Sequence, residues 1–191
     1  LWTHRPAIFV ANHQSSLDIP VLGNLLERDF TIVAKKEARW DPRAIVGSVV
    51  IDPAWIDRSD SESARATLDG VVERIRGGTS LMIFPEGTRS ATPVLGPFRK
   101  GAFHLATSLH APLVPFFIYI QPDADPGPFS EVLSFEVRPG DVHIFYRPAV
   151  DTSGWRVEDV ERHRDEFREM YARWAREMNA PAAAQPAASG S

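Results

Sequence analysis

The sequence predicts an α/β fold: a single domain with a mostly parallel central sheet flanked by helices, finished by a C-terminal hairpin and a long amphipathic helix. Three observations lead there. Short apolar runs suited to buried strands alternate with helix-patterned segments from Ala7 to Ile120. Beyond that the pattern changes to two extended runs around Pro139-Gly140, then to apolar residues recurring at helical spacing. Finally, 191 residues with 43% hydrophobic and 24% charged content are enough for one full core and too few for two comfortable ones. The domain is read as 1–178, and the Ala/Pro/Ser-rich 179–191 as a disordered tail.

In chain order, Ala7 to Ala11 is the first buried strand, and Asn12 to Ser16 a loop. Ser16 is placed to cap a helix from Leu17, with Asp18 in the acid-favouring first turn and Pro20 where helical N–H groups have no partner anyway. Phe30 to Ala34 is the second strand; a short helix over Pro42 to Val50 and a partly extended return to Ile56 follow. The next helix, Asp60 to Arg76, is entered through a capping box from Ser59 to Glu62 and left at Gly77-Gly78. Its apolar stripe is Ala64, Leu68, Val71, Val72 and Ile75.

Ser80 to Phe84 is another buried strand, followed by a loop to Lys100 and a helix from Gly101 to His110. Leu113 to Ile120 is apolar enough for a strand, but Pro115 marks an edge or a bulge. Pro122 to Ser130 reads as an exposed loop, Leu133 to Arg138 and Asp141 to Tyr146 as the hairpin. Val157, Val160, Phe167, Tyr171, Trp174 and Met178 form the stripe of the last helix.

Composition narrows the function classes. A net charge of -4 argues against general binding to nucleic acid, and the absence of cysteine excludes disulfides and thiol chemistry. No apolar run approaches the roughly 20 residues of a bilayer span. The chain starts at Leu1 rather than methionine and runs almost directly into a strand, so it is read as a domain cut from a longer protein.

Four strand-to-loop exits carry chemistry-bearing residues: Asn12 to Asp18, Lys35 to Glu37, Asp57-Arg58 and Glu86 to Ser90. If the strands are parallel these exits share one rim, where open α/β sheets hold ligands. His13 in a loop and Asp18 at a helix entrance can converge, and a carboxylate that orients an imidazole makes it a base near neutrality. Standing alone, the pair reads more readily as a satisfied core histidine and a helix-start acid. The cations Lys35, Lys36, Arg58 and Arg89, with Arg99 and Lys100 nearby, point to an anionic ligand such as a phosphate or carboxylate. With no cysteine and no G-x-S-x-G elbow, the pair is expected to activate a hydroxyl or water of the substrate. His163-Arg164-Asp165 spells a kinase tripeptide without a nucleotide loop and is read as a solvated helix face; His104 and His110 lack zinc-type spacing.

Asn12-His13-Gln14-Ser15-Ser16-Leu17-Asp18 and Phe84-Pro85-Glu86-Gly87-Thr88-Arg89-Ser90, about seventy residues apart, together resemble the N-H-x-S-x-x-D and F-P-E-G-T-R-S boxes of the glycerophospholipid acyltransferase superfamily, particularly 1-acyl-glycerol-3-phosphate acyltransferases. Ile56-Asp57-Arg58 resembles that family's intervening arginine motif, and Ala111 to Pro115 its proline-containing fourth motif. The resemblance covers roughly Pro6 to Ile120. It implies that His13 is the general base and Asp18 its orienting partner. Arg89 and Lys35 or Lys36 would hold the acceptor's phosphate, Glu86 and Gly87 would shape the same pocket, and Arg58 would assist.

The implied reaction moves an acyl group from acyl-CoA or acyl-carrier protein to a lysophospholipid hydroxyl, with no metal and no cofactor beyond the co-substrate. The implied partners are the lysophospholipid acceptor, the acyl thioester donor and a membrane surface, with the enzyme peripheral or anchored at the cytoplasmic face of a bacterial inner membrane. Alternatives are another lysophospholipid or glycerol 3-phosphate as acceptor, a thioesterase, or a non-catalytic lipid-binding module. The hydrophobic helices common before the histidine box in such proteins are missing from this stretch. What precedes Leu1 is therefore expected to be such an anchor or, by a further resemblance of Val33 to Ala38 and Ile56 to Asp60, a fused phosphatase-like domain.

Overall fold

Among the described residues, six strands hydrogen-bond into one sheet in the order β3-β2-β4-β1-β5-β6. They are β1 (Ile8–Ala11), β2 (Phe30–Lys35), β3 (Ala54–Ile56), β4 (Ser80–Ile83), β5 (Leu113–Ile120) and β6 (Val142–Tyr146). Helices lying wholly within the described residues are α1 (Asp18–Leu26), α2 (Ser61–Arg76), α3 (Gly101–Leu109) and α4 (Val160–Met178), with 3-10 turns at Lys36–Trp40 and Val157–Asp159. The computed structural model describes residues 5–15, 18–40, 51–57, 59–88, 95–120 and 142–178. The expected helix over Pro42 to Val50, the first hairpin strand, the loop over Pro122 to Ser130 and the 179–191 tail lie outside them.

Every pairing among β1 to β5 is parallel, and only β6 runs antiparallel, against β5. The mostly parallel sheet read from alternating strands and helices is therefore the observed one. β4 inserts between β2 and β1, so the chain leaves β1 towards one edge of the sheet and leaves β4 towards the other. Connections that diverge in this way open a crevice at the strands' carboxyl ends.

Both faces of the sheet are covered, which is why β1 is buried along its whole length. Ile8 and Val10 point into a core with Val71 and Ile75 of α2, Phe103 and Ala106 of α3, and Phe167, Tyr171 and Trp174 of α4. Ala7, Phe9 and Ala11 point the other way, towards Leu22 and Leu26 of α1. The period-two alternation of one strand thus feeds two cores.

Local details depart from the sequence reading in four places. The cap of α2 is Asp60 rather than Ser59: Asp60 Oδ1 accepts from the N–H groups of Glu62 and Ser63, while Ser59 donates to Asp57. Adjacent residues with equal capping chemistry leave the choice to where the helix axis begins.

Pro115 lies on an interior strand, not an edge. Its carbonyl accepts from Arg147 N–H at 3.3 Å, beyond the end of β6 and before the Leu113–Val150 bridge, so the missing N–H faces a gap in the ladder. His163 is buried, with 7% exposure, and stacks on Trp155 at 3.8 Å, although its neighbour Asp165 is exposed as a solvated face requires. Val157 heads the expected apolar stripe but sits 62% exposed in the 3-10 turn before α4, outside the helical register.

Candidate active site

At the end of β1 the Asn12 side chain continues the ladder that the backbone leaves. Its Oδ1 accepts from Ile118 N–H at 2.7 Å and its Nδ2 donates to Ile118 C=O at 2.9 Å. The main chain is thereby freed to turn away from the sheet, and His13 emerges at the rim. Its ring lies against Phe84 at the exit of the neighbouring β4, with centroids 4.2 Å apart and planes 20° from parallel.

The next residues fold around Asp18, the first residue of α1. Asp18 is buried, and its Oδ2 accepts three hydrogen bonds: from Gln14 N–H at 2.8 Å, Ser15 N–H at 3.0 Å and His13 Nδ1 at 2.8 Å. The helix N-terminus also favours a negative charge there. A carboxylate only accepts, so this contact assigns the proton to Nδ1 and leaves Nε2 with its lone pair. With 16% of its side chain exposed, the imidazole remains reachable from the rim. A histidine oriented in this way can accept a proton from a hydroxyl delivered to Nε2.

Glu86 closes the arrangement from the β4 side. It lies in the turn where Gly87 N–H reaches back to Phe84 C=O at 3.0 Å and Gly87 takes φ 71°, a conformation that suits glycine. Glu86 is 5% exposed; Oε1 accepts from His13 N–H at 3.0 Å and Oε2 from Gly96 N–H at 2.8 Å. Burial pushes its carboxyl above the ordinary range, opposed by those two N–H groups and by His13.

The structure therefore brings His13, Asp18 and Glu86 together, with Gly87 on the same turn. Lys35 ends β2, on the same rim and exposed. Lys36 is also exposed but is ion-paired with Asp57 beyond β3, which, with Ser59, holds the Asp57 carboxyl down at about 2. Lys100 is paired with Glu161 of α4, and Arg99 is exposed. Arg58 and Arg89 lie outside the described residues. Sequence reasoning gave no role to Asn12, Phe84 or Gly96. The first two belong to the quoted boxes, so their position was available; nothing local marks Gly96 as touching a residue ten positions before it.

A family model described as Acyltransferase matches residues 2–119, more than half of the sequence. The chain belongs to the acyltransferase family. The matched span ends within β5, and so takes in the acyltransferase boxes around both His13 and Glu86. Among curated relatives, 1-acyl-sn-glycerol-3-phosphate acyltransferase of Limnanthes alba is 32% identical over 185 residues, covering 96% of this chain and 62% of the relative. The protein of that name from Saccharomyces cerevisiae is 39% identical over 117 residues, 60% of this chain and 39% of the relative. This acyltransferase chain thus spans less than two thirds of the length of either. A crystal structure of the 1-acyl-sn-glycerophosphate (LPA) acyltransferase PlsC from Thermotoga maritima superposes with a TM-score of 0.73 at 26% identity, covering 93% of this chain and 68% of that one.

Proposed function

We propose that this domain transfers a fatty acyl group from acyl-CoA or acyl-carrier protein to the free hydroxyl of 1-acyl-glycerol-3-phosphate, producing phosphatidic acid for phospholipid synthesis. The observation that carries the reading is the 2.8 Å contact between His13 Nδ1 and Asp18 Oδ2, which fixes the tautomer that a general base needs. The names of the relatives supply the substrate class.

In this mechanism Nε2 of His13 takes the acceptor's hydroxyl proton as the oxygen attacks the thioester carbonyl. Asp18 stabilises the imidazolium while the tetrahedral oxyanion forms. The oxyanion collapses, the carbon–sulfur bond breaks, and the departing thiolate receives the proton from the imidazolium. No covalent acyl-enzyme is needed, and a thioester is reactive enough to be attacked without metal or further cofactor. A placed base contributes about 10² to 10⁴ in rate.

The acceptor's phosphate is assigned to Arg89 with Lys35 or Lys36, assisted by Arg58, in a pocket shaped by Glu86 and Gly87. The exposed Lys35 at the end of β2, on the rim that carries His13, supports that assignment. Because the acceptor is a membrane lipid, the rim is expected to work at a membrane surface, at the cytoplasmic face of a bacterial inner membrane. No helix among the described residues is long and apolar enough to cross one.

The test is transfer from a radiolabelled acyl thioester to a panel of lysophospholipids and glycerol 3-phosphate, with His13→Ala alongside. Phosphatidic acid formation that falls at least a hundredfold in the variant is expected. Full activity in His13→Ala would refute the mechanism, and thiol release that does not depend on acceptor would make the protein a thioesterase instead.

A further inference from the structure

We infer that Glu86 is a positioning residue, a latch that ties the backbone of His13 to the backbone of Gly96 and so holds the base and the loop entering α3 as one piece. The inference deepens the proposed function and rests on its assignment of His13 as the base.

Each oxygen of the Glu86 carboxylate faces a different backbone donor: Oε1 faces His13 N–H at 3.0 Å, Oε2 faces Gly96 N–H at 2.8 Å. These donors come from segments 73 and 10 residues away in sequence, so the contact is tertiary. A buried carboxyl whose two oxygens already accept from backbone N–H groups has no donor to offer an anion. Its contribution to a phosphate pocket must come through the backbone it arranges.

The geometry around Gly96 fits the same role. A Cβ built there would stand 3.0 Å from Glu86 Oε2, tighter than ordinary contact, so a side chain at this position would push the carboxylate aside by a few tenths of an ångström. The loop is pinned in two more places. Arg99 N–H donates to Pro85 C=O at 2.7 Å, and Arg168 Nε of α4 donates to Gly96 C=O at 3.4 Å.

His13 is thus located by three anchors: Asn12 on β5, Asp18 on the ring and Glu86 on the main chain. Burying a carboxylate is costly, as the upward push on its carboxyl shows, and the ionised form is favoured by the two donors it accepts from. A neutral amide cannot replace it. The oxygen of Gln accepts from one N–H, and its NH₂ then points at the other N–H, donor against donor.

The experiment compares Glu86→Gln and Gly96→Ala with the parent. Steady-state kinetics are read together with amide hydrogen exchange resolved at His13, Gly96 and, as a fold control, the β1 residues Ile8 and Val10. Misplacing a catalytic group by about 1 Å costs on the order of a hundredfold. The expected result is a fall in kcat of about tenfold to a hundredfold in Glu86→Gln, and a smaller fall in the same direction in Gly96→Ala. The loss should appear in kcat and not in acceptor KM alone, with exchange faster at His13 and Gly96 and unchanged in β1. A raised acceptor KM with kcat intact would make Glu86 part of the binding pocket and overturn the inference, as would unchanged protection at both amides. If the parent itself transfers no acyl group to any acceptor, the proposed function fails, while the exchange measurement still decides the latch.

Discussion

Asp18→Asn separates the charge of the buried carboxylate from its shape. Oδ2 accepts from two backbone N–H groups, Gln14 and Ser15, as well as from His13 Nδ1. In the variant those two donors force the amide to present its oxygen on that side, because the NH₂ group would meet them donor to donor. The NH₂ then occupies the place of Oδ1, which among the described residues is buried and without a hydrogen-bond partner. The imidazole keeps its tautomer and orientation, so the loss is that of the negative charge beside the imidazolium of the proposed mechanism.

Two unit charges about 4 Å apart interact by about 4 kcal/mol at an effective dielectric constant near 20. A hydrogen bond to a charged group exceeds a neutral one by about 1 kcal/mol or more. A barrier increase of about 2–4 kcal/mol follows once partial exposure of the ring is allowed for, which is about 30- to 1,000-fold in kcat. The assay is the initial rate of thiol release at saturating lysophospholipid, with phosphatidic acid quantified in parallel. A variant within threefold of the parent, or one that changes acceptor KM and leaves kcat alone, would refute the assignment of Asp18 as the imidazolium's counter-charge.

Two further outcomes test the scaffold. Tyr171 is fully buried in α4, and its hydroxyl donates to Val10 C=O at 2.6 Å and accepts from Phe116 N–H at 3.1 Å, so it ties α4 to β1 and β5. Tyr171→Phe keeps the ring packing and is expected to lower unfolding stability by about 1–3 kcal/mol, read as a lower urea midpoint at unchanged slope; a midpoint equal to the parent's would refute the tie. For the Lys36–Asp57 pair, the carboxyl is depressed from 3.8 to about 2, so the unfolded chain binds more protons between those values and stability rises with pH there. The pair's contribution is present above about pH 4 and is lost as pH falls towards about 2. Thermal midpoints of Asp57→Asn should therefore lack part of the parent's decline across that window, and parallel profiles would show that the pair contributes nothing.

Much of the site was legible because its chemistry is local. His13 and Asp18 are five residues apart, and a loop followed by a helix start brings such neighbours into contact with little help from the rest of the fold. The rim was legible too, since alternating apolar runs imply parallel strands and parallel strands put their exits on one side. Glu86 was picked out by its motif, yet its bonds to His13 and Gly96 were not readable, because nothing in a sequence pattern says which distant backbone amide a carboxylate will meet. The same limit explains His163, whose burial depends on Trp155 arriving from a preceding loop.

By itself the sequence determined the quantities that depend on near neighbours: strand and helix periodicity, the turn at Gly77-Gly78, and a histidine with its acid. Tertiary structure alone decided that β4 enters between β1 and β2, that Pro115 is tolerated inside the sheet, and that Asn12 pairs with Ile118 across 106 residues. The physical reason is that local preferences are set by sterics and by hydrogen bonds within a few residues. Strand order and long-range polar contacts are chosen when distant surfaces are buried together, and many pairings of similar apolar runs compete until the whole core is assembled.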